Sequence, residues 1–427
     1  MFDKKLCVKE CFKLVIFITI SIIICTFLML LLYSMPTDRI YENAKESVSL
    51  YDTQMIRNWS GNTVYSKLDN FTDALMINIA LYRPYESDVE NAMLNSYIRY
   101  EGLSNTMQQN LVTLLTDGTE SGTKNDYARY WHGYLVYLIP GLIFFNVGEM
   151  KMMMMIVQMF LLSACLYEFG KINFLYSIIF MVIALFINPI TTVLTFQVAD
   201  IYIITLVFTF IILRDYAWLK EKDRWKFLFA LNGVLVAFLD FFTYPLVAFG
   251  VPLLTFFIVE DSDIKKGINN IAKMSFFWAF GYAGMWIGKW FMALFLTGNN
   301  IVSEGVSAFK YRMVGIGEGI TDVTYLHVLK SIWDTINEPF MGMLFVLTVL
   351  ILAIYALKKK HFLLIRKEKL CQLIPISIIS ILPFVYYFIV RNHVLVHPWL
   401  EYRELAVTIW GVAICLVKLI LPESEKK

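Results

Sequence analysis

Charge is what this chain has least of. Only 17% of its 427 residues are Asp, Glu, Lys or Arg, while 58% are hydrophobic, a balance foreign to soluble domains. The formal net charge is +2, and no basic stripe exists outside short loops, so nucleic acid is not an expected partner. None of the six cysteines falls in a segment expected to face outward, which argues against a disulfide framework. Cys7 and Cys11 lack the further ligands that a metal site needs. Nucleotide and hydrolase fingerprints are missing too: there is no P-loop, dinucleotide glycine fingerprint or GxSxG elbow. Gly315, Gly317 and Gly319 give GxGxG spacing without the required strand and helix. No internal repeat, Gly/Ser linker or low-complexity tract is visible, and no stretch is long enough for a soluble catalytic domain.

What the chain has is apolar runs, several approaching the ~20 residues that cross a bilayer as a helix. Ten lie near 14–33, 151–168, 172–188, 201–213, 227–241, 246–259, 274–296, 339–357, 371–390 and 405–421. The first is too long for a signal-peptide core and should stay as an anchor. Lys4, Lys5, Lys9 and Lys13 precede it, which predicts a cytoplasmic N-terminus. The stretch 127–146 is apolar but short and is interrupted by Pro140 and Gly141, so it reads as an interfacial helix. Counting it as a span would turn the basic clusters 214–226 and 358–369 outward, against the positive-inside bias. The expectation is a single all-α polytopic membrane domain with about ten transmembrane helices and both termini cytoplasmic. A long first extracytoplasmic loop, 34–149, carries the interfacial helix, and 297–338 and 391–404 are further outward loops.

The ionisable residues collect on the outer face. Asp69 and Asp73 lie in "KLDNFTDALMINIAL" (67–81), one turn apart on a predicted helix and therefore on one face. A carboxylate there could serve as a general base; the plainer reading is a helix cap or a solvated face. Arg129 and His132 in "RYWHG" (129–133) suit a lipid phosphate, or an aromatic belt with an incidental base. Asp200 opens a predicted helix and Asp240 ends one in "LDFFTYP" (239–245), where an acid is disfavoured by the dipole. Arg312 joins them in the outward loop 297–338. The densest cluster is "RNHVLVHPWLEYRE" (391–404), with Arg391, His393, His397, Glu401 and Arg403. Arginine forks suit phosphate oxygens, whereas the HExxH order of a zinc site is absent. Lys289, inside an apolar run, should pair with an acid or snorkel. "NWS" (58–60) and "NFT" (70–72) match the glycan acceptor pattern but are not read as modified.

The order of elements over roughly 1–260 resembles the GT-C integral-membrane glycosyltransferases: one inward-starting helix, a long first outward loop with an early Asp, an interfacial helix, and a short second outward loop with an acid. "LDNFTDALM", "YARYWHGYLVYL", "LDFFTYPL" and "NHVLVHPWLEYR" also look like bacterial membrane proteins associated with cell-surface polysaccharides. The resemblance implies sugar transfer, hexosyl or pentosyl, from a polyprenyl-phosphate donor to a glycan or lipid-linked acceptor outside the plasma membrane. It implies inversion at the anomeric carbon. The base maps to Asp73, favoured, or Asp69, and the second-loop acid to Asp200. Arg129, His132, Arg391 or Arg403 would hold the phosphate. The first-loop acid lies further from the first helix than the family pattern has it, with Asp38 and Asp52 as alternatives, and a large soluble C-terminal domain found in some members is missing. No cofactor is expected, since a lipid monophosphate needs no metal to neutralise a diphosphate; a divalent metal stays open. The competing functions are a polysaccharide polymerase or ligase, a flippase of lipid-linked glycans, and a non-enzymatic assembly partner.

Overall fold

The computed structural model describes residues 4–51, 54–61, 63–102, 106–314, 324–358 and 367–420. The GxGxG glycines, Asp52 and most of the basic loop 358–369 lie outside the described residues. Helices dominate, joined by two short antiparallel hairpins. One pairs Ile56–Asn58 with Lys67–Asp69, Ile56 opposite Asp69; the other pairs Tyr97–Tyr100 with Gly122–Asn125.

Four described helices are long and apolar enough to cross a membrane: Lys9–Tyr33, Val147–Ile172, Phe196–Arg214 and Leu370–Ile389. A fifth arises if Tyr325–Ile336 and Pro339–Tyr355, bent by 83°, form one span. The runs read near 172–188, 227–241 and 246–259 form the helices Phe174–Ile187, Trp225–Leu239 and Pro245–Val259. Each is shorter than the ~20 residues a crossing requires. Ile264–Thr297 has 34 residues and is long enough, about 51 Å, but is not among the four. On Lys9–Tyr33, Ile20, Ile23, Ile24 and Phe27 face outward. A row of bare apolar side chains on a helix with all its backbone bonds made internally suits hydrocarbon.

Two glycines set the closest helix packing. A Cβ on Gly233 would lie 2.2 Å from the Trp278 carbonyl oxygen, and one on Gly281 would lie 2.4 Å from that of Ala230. The helices Trp225–Leu239 and Ile264–Thr297 therefore touch backbone to backbone, as small residues permit. Asn232 strengthens the seam, accepting from Trp278 Nε1 at 2.8 Å and donating to Ala248 O at 2.9 Å.

The first long loop is a folded unit rather than an open excursion. Its helix Asn70–Leu81 is buried on nearly every side. The sequence suggests one apolar stripe there; tertiary packing against Met107–Asp117 and Leu135–Phe144 covers the rest. Three cations donate to carbonyls at helix C-termini, the end a positive charge stabilises, and two of them, Arg83 and Lys289, pin this layer. Arg83 Nη1 donates to Tyr33 O at 2.6 Å and Met35 O at 2.5 Å. Arg403 Nε donates to Ile187 O at 2.8 Å. Lys289, fully buried, neither pairs with an acid nor snorkels: its Nζ donates to Met93 O at 2.8 Å and Asn95 Oδ1 at 2.7 Å. The carbonyls left free at the end of Asp88–Leu94 give the ammonium its partners.

Candidate functional site

Six segments distant in sequence enclose a cavity of about 680 Å³, within the size range of small-ligand sites. The Lys67–Asp69 strand and the helix it feeds supply Asp69, Thr72 and Leu75; the aromatic turn supplies Tyr127, Arg129 and Tyr130. Gln197 comes from the start of Phe196–Arg214, and Phe241–Thr243 from the turn after Trp225–Leu239. Arg312 enters from Val302–Val314. His393 and His397 face it from the last outward segment.

Asp69 is the one carboxylate on this cavity among the described residues. It is also the N-cap of Asn70–Leu81: Thr72 N–H donates to Oδ1 at 3.0 Å, and Thr72 Oγ1 and Gln197 Nε2 donate to Oδ2 at 3.0 and 3.1 Å. Burial pushes its carboxyl up to about 6, while those hydrogen bonds hold it down. It is therefore ionised at neutral pH and protonated in mild acid.

Asp73, the favoured base, is not on the cavity. It sits behind Asp69, where Lys151 Nζ donates to Oδ2 at 2.9 Å and Phe196 N–H to Oδ1 at 2.8 Å. Burial raises its carboxyl and Lys151 opposes that rise. The i, i+4 spacing put both acids on one face; the cavity takes only the one at the helix mouth. Asp73→Asn should destabilise the protein by roughly 3 kcal/mol, because Lys151 is left largely buried without its counter-charge. Asp73→Asn with Lys151→Met should recover most of that loss. Thermal unfolding of the purified variants, followed by tryptophan fluorescence, checks it; equal losses in both would contradict a structural ion pair.

Arg312 is the cation best placed for an anion. Its guanidinium lies 4.8 Å from the Phe242 ring centre and 5.4 Å from that of Tyr130. No carboxylate forms an ion pair with it among the described residues. Burial lowers it to about 10, so it stays charged at neutral pH. Arg129 also lines the cavity, but Glu304 Oε1 accepts from its Nη1 at 2.7 Å, and it stacks over Tyr127 at 4.3 Å.

His393 and His397 are neutral. Burial and the nearby Arg312 charge push His393 well below its ordinary value and His397 down to about 4. His393 Nε2 lies 2.9 Å from Phe242 O and 3.2 Å from Glu401 Oε1. Behind it, burial raises Glu401 and Glu404 well above the carboxylate range, helped at Glu401 by repulsion from Glu404 and at Glu404 by repulsion from Asp240.

The remaining candidates serve the frame. His132, in the left-handed region at φ +56°, is buried between Tyr127 O at 2.8 Å and Tyr134 Oη at 3.1 Å. Burial and Lys289 bring it down to about 3, too low to act as a cation on phosphate. Asp200 accepts from Tyr137 Oη at 3.3 Å. Its helix starts at Phe196, earlier than expected, so its first turn brings Gln197 to the cavity and buries Asp200. Arg391 lies over Phe388 at 5.5 Å; on Arg391–Val396 the cavity face belongs to Asn392, His393 and Val396. Arg403 is the helix-end clamp described above. Exposed Asp38 starts Asp38–Glu46, away from the cavity.

Asp240 builds a turn. Phe242 N–H donates to Oδ2 at 2.8 Å, Thr243 N–H at 3.0 Å, and Thr243 Oγ1 to Oδ1 at 2.5 Å. The turn holds Phe242 at φ +71°, a conformation that costs a bulky residue about 1–3 kcal/mol.

Sequence reasoning missed Gln197, Phe242 and Lys151. Gln197 stood in the short second loop beside the acid that drew attention, and "LDFFTYP" signalled a turn without showing which residue it strains. Among the described residues, no group of three or more His, Cys, Asp or Glu is placed to hold a metal ion. Compared with family models, curated proteins and solved structures, the chain gives no match.

Proposed function

We propose that this chain is a membrane glycosyltransferase that moves a sugar from a polyprenyl-phosphate donor to a glycan or lipid-linked acceptor at the outer face of the plasma membrane. The observation that carries the reading is one cavity holding a buried carboxylate, Asp69, and a half-buried arginine, Arg312, that has no ion-pair partner among the described residues. Asp69 takes the proton of the acceptor hydroxyl. That oxygen attacks the anomeric carbon on the face opposite the phosphate and inverts it. The carbon–oxygen bond to phosphate breaks, and the electron pair leaves on the lipid phosphate, whose charge Arg312 stabilises. The topology that goes with this reading has ten spans, both termini cytoplasmic and the cavity outside, as the basic clusters favour.

His393 and His397 on the same cavity favour a second reading, a polysaccharide polymerase or ligase that uses a lipid diphosphate. The released lipid separates the two. Purified protein incubated with a radiolabelled lipid-linked donor pool should release polyprenyl monophosphate, resolved by thin-layer chromatography. Release of diphosphate alone would replace the transferase by the ligase, and release of neither would remove both.

A further inference from the structure

The strained turn at Phe242 has two effects on the cavity wall. Its ring lies under the Arg312 guanidinium and edge-on to His393, at 4.8 and 5.3 Å. Its carbonyl lies 2.9 Å from His393 Nε2. A carbonyl only accepts, so Nε2 carries the imidazole proton. Glu401 Oε1, 3.2 Å from the same nitrogen, holds the ring in that tautomer. Nδ1 is then a bare lone pair on a ring that lines the cavity, and no described residue donates to it. His397 differs, because its Nδ1 is buried without a partner.

An imidazole acceptor demands a donor from the ligand. A cationic donor is repelled by Arg312 beside it; a neutral hydroxyl is not. We propose that His393 Nδ1 accepts a hydrogen bond from a sugar hydroxyl next to the anion held by Arg312, so that the cavity recognises a glycosyl phosphate rather than phosphate alone. Asp240 is the positioning residue, since its carboxylate holds the turn that presents the Phe242 carbonyl to His393. The inference rests on the reading of the cavity as a sugar-phosphate site and adds the group that distinguishes sugar from phosphate.

The test is calorimetric titration of the full chain in nanodiscs with methyl phosphate and with glucose, galactose and mannose 1-phosphate. At least one hexose phosphate should bind about tenfold or more tightly than methyl phosphate, the worth of one good buried hydrogen bond. In His393→Phe that preference should vanish while methyl phosphate binding is kept. Should the variant not fold, nitrogen-15 spectra of histidine-labelled wild type replace it: the His393 Nδ1 resonance should move with the preferred hexose phosphate and not with methyl phosphate. Equal binding of all four, or a preference that survives His393→Phe, overturns the inference and leaves the phosphate site standing. Binding of none of them overturns both.

Discussion

Asp69→Asn should abolish one sugar from the surface glycan while leaving the protein in the membrane at its normal level. The substitution separates the two roles of this residue. Asparagine caps helices about as well as aspartate, and its carbonyl oxygen can still accept from Thr72 N–H, the bond now made at 3.0 Å. Gln197 can turn its amide to meet the new NH2 group. What asparagine cannot do is take a proton. Loss of a general base costs about 10²–10⁴ in rate, so transfer measured with purified protein should fall by that range. Asp69→Ala should lose activity and also stability, by about 1 kcal/mol for the cap. The pH profile gives a second readout. The Asp69 carboxyl is raised from 3.8 to about 6, so the base is active above pH 6 and its contribution falls about tenfold per unit below it. The sign for folding is opposite. A raised carboxyl binds its proton more tightly in the folded state, so its favourable contribution is complete below 3.8 and is lost as pH rises through about 6. An unchanged glycan in Asp69→Asn would reduce Asp69 to a helix cap.

Arg312→Gln should weaken use of the donor by about 10²–10³ in kcat/KM, the scale of removing one charged group from a developing oxyanion. The environment sets that size. The guanidinium packs against Phe242 and Tyr130, and no carboxylate forms an ion pair with it among the described residues. Arg312→Lys should recover only part of the loss, because an ammonium lacks the planar fork that stacks on an aromatic face and grips two oxygens. Arg129→Gln is the control on the same wall. Its charge is engaged with Glu304 at an exposed edge, where such pairs are worth at most about 1 kcal/mol. Donor titrations of the three variants decide the matter: equal effects of Arg129→Gln and Arg312→Gln would mean that the cavity attracts its ligand by overall field and not by one side chain.

The legible part of the site and the illegible part differ for a physical reason. Asp69, Arg129, Arg312, His393 and His397 could be named because ionisable residues at the end of an apolar run are costly there. That argument finds expensive groups without telling how their cost is met. His132, Asp73, Asp200, Asp240, Arg391 and Arg403 look identical by it. Asp73 is satisfied by Lys151 from a helix 78 residues away, and Arg403 by a carbonyl 216 residues away. No local pattern carries such pairings. Lys289 makes the same point, since its partners are a backbone carbonyl and an asparagine amide oxygen at Met93 and Asn95, far from it in sequence.

By itself the sequence determined the class of this protein and where most of its apolar helices run. A chain 58% hydrophobic and 17% charged must be built of helices that satisfy their own backbone groups, and its apolar runs fall on helices. The tertiary structure alone decided which polar groups face a common space. Helix starts at Asn70 and Phe196, a left-handed residue at Phe242 and the entry of Arg312 from a separate helix select, among the described residues, one acid and one cation without an ion pair for the cavity. Each of these depends on where a helix begins or which neighbour covers it. Local caps and turns take part, such as the Asp240 carboxylate that holds Phe242, but which groups meet at the cavity depends on packing between distant segments, such as Gln197 on Asp69.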